Sequence, residues 1–152
     1  MLNEEVLALL QRSVLCWLST ASADGRPNVS PKEIFAPAPP NTVLIADIAS
    51  PRSVTNIGVN PFVCIAAVDV FEQRGFQLYG QAELIQADGP RFEETVPPLR
   101  AKAGPDFTIR RVISVSIDRV SPIIAPSYWV RPDMDADTRR AGVFATYGVR
   151  PV

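Results

Sequence analysis

The stretch TVLIADIASPRSVTNIGVNPFVCIAAVDV, residues 42–70, decides the fold. Residues 42–48 and 62–70 are apolar and rich in β-branched residues, and each predicts a strand. The Ser-Pro pair at 50–51 predicts a helix start between them, because serine is a favoured N-cap residue and proline fits the first helical position. The Asn-Pro pair at 60–61 ends that helix. A strand, a short helix and a second strand therefore form the centre of the chain.

Outward from this centre, the pattern of apolar and turn residues predicts four more strands. They cover residues 13–22, 28–35, 76–85 and 107–120. The Asp-Gly pair at 24–25 joins the first two as a hairpin, because Asp-Gly between strand-like runs is a strong turn signal. Gly80 inside the fifth strand indicates a bulge or a close approach of two backbones.

The remaining segments predict short helices and loops. Residues 2–12 have helical apolar spacing behind Asn3, a suitable N-cap. Residues 36–41 read as a loop, and residues 91–102 as an irregular helix broken by two prolines. We expect one domain over residues 1–152, with about 121–152 as a C-terminal extension that ends in a short helix. Six strands with few helices favour a mainly β (α+β) fold, a closed or partly closed small barrel.

The composition narrows the possible functions. The chain has 152 residues, a net charge of −1 and no histidine. A balanced charge gives no field that would attract nucleic acid or anionic lipid, so neither is expected as a partner. Without histidine there is no Ser-His-Asp or Cys-His catalysis, and a zinc site would lack nitrogen ligands. Any redox or group-transfer chemistry would therefore belong to a cofactor.

The cysteines and the N-terminus favour a reducing compartment. Cys16 and Cys64 each lie inside an apolar run, as expected for buried free thiols. The first residues carry glutamates where a signal peptide would carry basic residues, and no apolar run approaches about 18 residues. We therefore expect a cytoplasmic protein.

The sequence at residues 50–53, Ser-Pro-Arg-Ser, is the strongest candidate for a ligand site. A helix start presents free backbone N–H groups and partial positive charge, so it attracts anions. Arg52 and Ser53 add a guanidinium and a hydroxyl that can donate to a phosphate. The alternative is an ordinary capped surface helix with a solvated arginine.

Three further side chains are weaker candidates. Lys32 could meet a phosphate or a planar ring, or be a solvent-facing lysine of an edge strand. Asp47 could accept from a ribityl hydroxyl or cap a turn. Trp129 could shield a flat cofactor or only provide hydrophobic packing.

The order of these motifs resembles one known family. Three stretches are similar to the pyridoxamine-5′-phosphate-oxidase-like FMN-binding split barrels. They are a strand and an Asp-Gly hairpin that lead to a lysine (17–32), a strand that leads to Ser-Pro-Arg-Ser and Asn-Pro (44–61), and a strand around Gly80 (76–84). The resemblance covers residues 5–120. It implies a six-stranded split barrel with peripheral helices and a homodimer that holds FMN at its interface.

The resemblance also implies roles for individual residues. Ser30, Pro31, Lys32 and Glu33 would border the flavin ring and ribityl chain. Ala46 and Asp47 would lie along the cofactor, and Arg52 and Ser53 would hold its phosphate. Outside the resemblance, a separate hypothesis is that the C-terminal extension packs over the flavin of the partner subunit, which would place Trp129 near the ring.

Four departures from the family pattern argue against vitamin B6 oxidation. Ser53 follows Arg52 where the family's oxidases carry a second basic residue, and Ser30 stands where they carry a basic residue. Gly75 replaces a glutamine, and residues 127–152 lack the histidine of their substrate segment. The chain is more similar to short, uncharacterised flavin-binding relatives that share the Tyr-Gly-Val-Arg-Pro tail, here residues 147–151.

These observations predict an FMN-dependent oxidoreductase of unknown substrate. The sequence leaves three alternatives open. The first is a carrier or sensor that holds a flavin or haem without turnover. The second is a reductase that uses the deazaflavin F420, against which the even charge balance argues. The third is a barrel dimer without a cofactor.

Overall fold

The computed structural model describes residues 2–150 as seven strands and six helices. In chain order these are α1 (Glu4–Arg12), β1 (Cys16–Ala21), β2 (Pro27–Lys32), β3 (Phe35–Ala38), β4 (Thr42–Asp47), α2 (Pro51–Val59), β5 (Phe62–Asp69), β6 (Arg74–Gln86), α3 (Phe92–Thr95), α4 (Pro97–Ala103), β7 (Arg111–Ile124), α5 (Ser127–Val130) and α6 (Ala136–Tyr147). In this part of the chain, no helix is long and apolar enough to cross a membrane.

All strands form one antiparallel sheet in the order β2-β1-β5-β6-β7-β4-β3. The predicted mainly β fold is confirmed. The predicted number of six strands was wrong, because β3 lies partly in the segment predicted as a loop. That segment contains several prolines, which normally argue against a strand. β3 tolerates Pro37 because it is an edge strand and pairs only with β4, so its outer side needs no backbone donor.

The two longest strands, β6 and β7, form the centre of the sheet. The register between them shifts at Tyr79 and Gly80, which confirms the predicted irregularity at this glycine. A Cβ atom on Gly80 would lie 2.0 Å from the carbonyl oxygen of Ser116, so the backbones approach as closely as glycine permits. β7 begins and ends four residues later than predicted, at Arg111 and Ile124.

The helices follow the capping signals in the sequence. Asn3 accepts a hydrogen bond from the backbone N–H of Val6 at 2.9 Å, as expected of an N-cap. α2 has the predicted bounds, and the prolines divide the 91–102 segment into α3 and α4. The C-terminal extension contains more helix than expected. Its α6 packs on the β5–β6 turn, where the rings of Phe71 and Phe144 lie 5.1 Å apart.

The core has two parts. The larger lies between the sheet and α1, and the smaller lies between β4, β7 and the α3–α4 pair. Cys16 is fully buried in the larger part, as predicted, whereas Cys64 is only half-buried.

The sheet curls into a half-barrel. β2 lies at one edge and β4 is next to the other edge, yet the Nζ of Lys32 at the end of β2 donates to the Oγ of Ser50, just after β4. The side chain of Asn28 in β2 likewise contacts Ser53 in α2. These contacts require the two sides of the sheet to come together. Dimerisation stays a prediction.

Candidate functional site

The N-terminus of α2 lacks a side-chain cap. Ser50 occupies the N-cap position but makes no capping hydrogen bond, and its Oγ accepts from the Nζ of Lys32. The first N–H groups of a helix have no partners within the helix. The backbone N–H groups of Arg52 and Ser53 are therefore available to an anion, next to the guanidinium of Arg52, which is exposed.

Asp47 stabilises the turn that leads into α2. Its Oδ1 accepts from the backbone N–H of Ser50 at 3.0 Å, and its Oδ2 lies 3.0 Å from the Nε of Arg111. The residue is 2% exposed. Of the two roles considered for Asp47, turn capping is the one that its contacts support, since both carboxylate oxygens are engaged within the protein.

Lys32 is buried rather than solvent-facing, with 6% of its surface exposed. Burial lowers the pKa of its ammonium group, while the nearby negative charge of Asp47 acts in the opposite direction. A lysine on an edge strand would normally point into water, but the curl of the sheet encloses this one. Its Nζ therefore lies at the junction of β2 and α2.

A small polar network lies beneath Ser53. The Nδ2 of Asn28 lies 3.3 Å from the Oγ1 of Thr20 and 3.4 Å from the Oγ of Ser53, and the Nδ2 of Asn56 donates to the same Thr20 oxygen at 3.0 Å. Ser53 and Thr20 are 1% and 4% exposed. Sequence reasoning did not assign Thr20 or Asn56 to the site. The signal was present, since Thr20 follows Cys16 and Leu18 on the inward face of β1.

Two adjoining cavities, together called the two-lobed cavity, lie between the end of β2 and the start of α2. The lobe at the helix start has a volume of about 270 Å³, and the lobe towards α4 about 370 Å³. Both are lined by Pro31, Ala49 and Ser50. The curl thus brings two separate segments of the chain, 28–34 and 46–53, together at these adjoining cavities.

The cavity brings most of the predicted site residues together. The predicted residues that line it are Ser30, Pro31, Lys32, Glu33, Ala46, Arg52 and Ser53. Asp47 lies beneath the turn without lining the cavity. Trp129 is not brought to it within one chain, because it lies on α5 and is 68% exposed.

The outer lobe also contains residues that the sequence did not point to. Lys102 and Phe107, at and after the end of α4, form its far wall. The Nζ of Lys102 lies 4.7 Å from the ring centroid of the buried Phe35. In the part of the chain that the structure describes, no group of three or more cysteine and acidic side chains could hold a metal ion.

A family model described as pyridoxamine 5′-phosphate oxidase matches residues 2–129. The chain belongs to the pyridoxamine 5′-phosphate oxidase family. The resemblance inferred from the hairpin, the Ser-Pro-Arg-Ser turn and the Gly80 strand is thereby confirmed. The match includes both halves of the two-lobed cavity and ends within α5.

Solved structures share the family fold. HupZ from Group A Streptococcus is 24% identical, with a TM-score of 0.68 over 82% of this chain and 99% of that one. An FMN-binding protein from Syntrophomonas wolfei is 14% identical, with a TM-score of 0.70 over 82% and 87%. HutZ, the haem storage protein of Vibrio cholerae, is 21% identical, with a TM-score of 0.59 over 81% and 94%. No curated protein sequence matches the chain.

The family fold therefore accommodates more than one cofactor. At these identities the similarities establish the architecture and not the ligand. The choice among flavin, haem and other ligands has to be argued from the residues that line the cavity of this chain.

Proposed function

We propose that this protein binds FMN through the start of α2 and serves as a flavin-dependent oxidoreductase. The observation that carries the proposal is the missing side-chain cap of α2. Lys32 engages the Oγ of Ser50, and Arg52 and Ser53, whose N–H groups have no partner within the helix, line the smaller lobe. A phosphate carries the negative charge that such a helix start stabilises, and Arg52 can donate two parallel hydrogen bonds to it.

The shape of the cavity supports a flavin nucleotide. Its smaller lobe surrounds the helix start, where a phosphate would bind, and its larger lobe is lined mainly by apolar side chains such as Ile34, Ile48 and Phe107. Together the lobes have the size of a typical cofactor pocket, about 300–1,000 Å³. Ser30, Pro31, Lys32 and Glu33 would then lie along the ribityl chain and ring, opposite Ala46, with Asp47 supporting the turn from below.

The charge of Lys32 would assist the redox chemistry. If a flavin binds here, a buried ammonium near its ring would stabilise negative charge on the ring more strongly than a solvated one. The cofactor supplies the electron transfer. The protein binds the phosphate, orients the ring and limits the access of water.

We propose that the functional form is a homodimer with the flavin at the interface. Within one chain both lobes are open to solvent, so one side of the ring would be uncovered. Trp129 is exposed and lies outside both lobes, so it would contact a flavin only in the partner subunit. This arrangement gives the C-terminal extension a role in the site.

The absence of histidine favours flavin over haem. Histidine is the ligand that holds haem iron in globins and peroxidases, and the chain has none. Among the residues that the structure describes, no cysteine, tyrosine or methionine lines either lobe of the cavity. A haem in this cavity would therefore have no side chain of the kinds that ordinarily ligate its iron.

The first experiment is a titration of the purified protein with FMN, followed by absorbance. We expect a perturbed flavin spectrum for the unmodified protein and, for Arg52→Ala, an affinity about 10- to 100-fold weaker, as for loss of a charged hydrogen bond. Arg131→Ala, at the exposed end of α5, is the matched control and should bind like the unmodified protein. No binding at about 100 μM FMN, which corresponds to about −5.5 kcal/mol, would contradict the proposal. Parallel titrations with F420 and haemin would then identify the alternatives.

Turnover is tested separately from binding. The FMN-loaded protein is mixed with NADH or NADPH without oxygen, and bleaching of the flavin is followed. Reduction at a useful rate supports the oxidoreductase. A bound flavin that neither donor reduces would instead indicate a carrier or sensor.

A further inference from the structure

The hydrogen bonds of the polar network behind Ser53 have a defined direction from donor to acceptor. The side-chain amide of Asn28 donates to the Oγ of Ser53 and to the Oγ1 of Thr20, and Thr20 also receives the amide of Asn56. The network is anchored in regular structure, since Thr20 and Asn28 are paired across the β1–β2 ladder. Asn28 also lines the lobe at the helix start, so the network extends from the core to the cavity wall.

This direction determines what Ser53 can do. The Oγ of Ser53 accepts from Asn28, and none of the described residues accepts a hydrogen bond from its hydroxyl group. A hydroxyl that has accepted on one side still has one hydrogen to donate. Because Ser53 is 1% exposed but lines the cavity, the direction left for that hydrogen is towards a ligand at the start of α2.

We propose that Asn28 is a positioning residue for this site: its amide fixes Ser53 so that the serine hydroxyl donates its hydrogen to the phosphate of the ligand. The inference rests on the proposed FMN site and adds the residue that makes the site prefer FMN to riboflavin, which lacks the phosphate. Arg52 attracts the phosphate by charge. Asn28 ensures that the buried hydroxyl beneath it is a donor.

The Asn28→Asp substitution reverses the hydrogen bond between residue 28 and Ser53, while the side chain keeps almost the same shape. An ionised carboxylate only accepts, so the Ser53 hydrogen would turn towards residue 28 and away from the ligand. The new charge would also repel the phosphate. We expect FMN affinity to fall by about tenfold or more, as for loss of a hydrogen bond to a charged group, while riboflavin affinity changes less than about threefold.

The measurement is the ratio of FMN to riboflavin affinity, obtained by titrating each flavin into the same preparation. Gln11→Glu makes the same charge change on the exposed surface of α1, outside both lobes, and should leave the ratio unchanged. Thr20→Val removes the oxygen that holds both amides and should lower the ratio less. It also provides a second test if Asn28→Asp melts at a much lower temperature.

Equal weakening of FMN and riboflavin would overturn the inference, because it would mean that Asn28 only maintains the fold. Unchanged FMN affinity would overturn it too, because the amide oxygen rather than the nitrogen would then face Ser53. These results are distinct from failure of the proposed function. In that case the unmodified protein would not bind FMN, or Arg52→Ala would bind it equally well, and both proposals would fall together.

Discussion

The burial of Cys16 makes the stability of the folded protein depend on pH. Its side chain is inaccessible to solvent, and burial raises the pKa of the thiol from 9.0 to about 12, although the charges of Lys32 and Lys102 partly oppose the shift. In the unfolded chain the thiol ionises above about pH 9. The native state therefore keeps a proton that the unfolded state has lost, and its stability falls as pH rises from 9 towards 12.

We predict that Cys16→Ala makes the protein less sensitive to alkali. Between pH 8 and pH 10 the unmodified protein should lose about 1.4 kcal/mol more of its free energy of unfolding than the variant, because one pKa unit corresponds to about 1.4 kcal/mol. Urea unfolding at the two pH values measures this difference. The lowered pKa of Lys32 acts in the opposite direction in both proteins. Equal losses would contradict a fully buried thiol.

The sequence predicted several residues that line the candidate site, but it did not predict how deeply they are buried. Arg52 and Ser53 could be found because capping and anion binding are local properties of the Ser-Pro-Arg-Ser turn. The burial of Lys32 could not be predicted, since it depends on the curl of the sheet. Thr20 and Asn56 became part of the site through contacts between residues 36 positions apart.

At the scale of the elements, β6 and β7 leave no space for a side chain at Gly80, whereas α2 leaves open space at Gly58. A Cβ atom at position 80 would lie 2.0 Å from a backbone oxygen, but one at Gly58 would meet nothing within 4 Å. Both residues lie in regular structure, so the same substitution should have opposite effects at the two positions.

We predict that Gly80→Ala lowers the free energy of unfolding by about 3 kcal/mol, because the two central strands would have to separate. Gly58→Ala, the matched control, should raise it by about 0.5–1 kcal/mol, since alanine is the better helix former. Thermal or urea unfolding of the three proteins tests the pair. A Gly80→Ala protein as stable as the unmodified one would mean that the bulge relaxes easily.

The strands show the limit of local sequence signals. The Gly80 bulge and the helix behind Asn3 follow directly from residue type and spacing. β3 was missed because Pro37 and the prolines after it indicate a loop, and only pairing with β4 makes this segment a strand. β4 begins only three residues after β3, but the connecting Pro-Pro-Asn carries neither the Asn-Gly nor the Asp-Gly signal that marks a hairpin.

For the whole molecule, the outer face of the sheet is the main candidate for the dimer interface. Trp17 and Val68 are 44% and 37% exposed, and they border a largely apolar groove of about 450 Å³ next to Phe71. Trp17 pairs in register with Pro31, which lines both lobes of the cavity. A second copy on this face would therefore also cover the open side of the candidate site.

We predict a dimer in solution that Val68→Lys converts to a monomer, because a charge would be buried at the interface. Val59→Lys, the same substitution at an exposed position at the end of α2, should remain dimeric. Size-exclusion chromatography with light scattering distinguishes the two. A dimeric Val68→Lys protein would place the interface elsewhere.

Trp129 provides an independent test of the same assembly. If its ring lies near the flavin of the partner subunit, Trp129→Ala should weaken FMN binding by about tenfold and change the flavin spectrum, since an aromatic contact is worth about 0.5–1.5 kcal/mol beyond its buried area. Unchanged affinity and spectrum would show that α5 does not reach the cofactor.

The contact between Lys32 and Ser50 joins the two sides of the curled sheet. A ligand bound there would hold the two sides together, because β2 could unpair from β1 only after the ligand had been released. Ligand binding would then slow the exchange of amide hydrogens most strongly in β2, an edge strand that is otherwise among the first to open. The cofactor would thus protect from unfolding a strand whose outer edge it never covers.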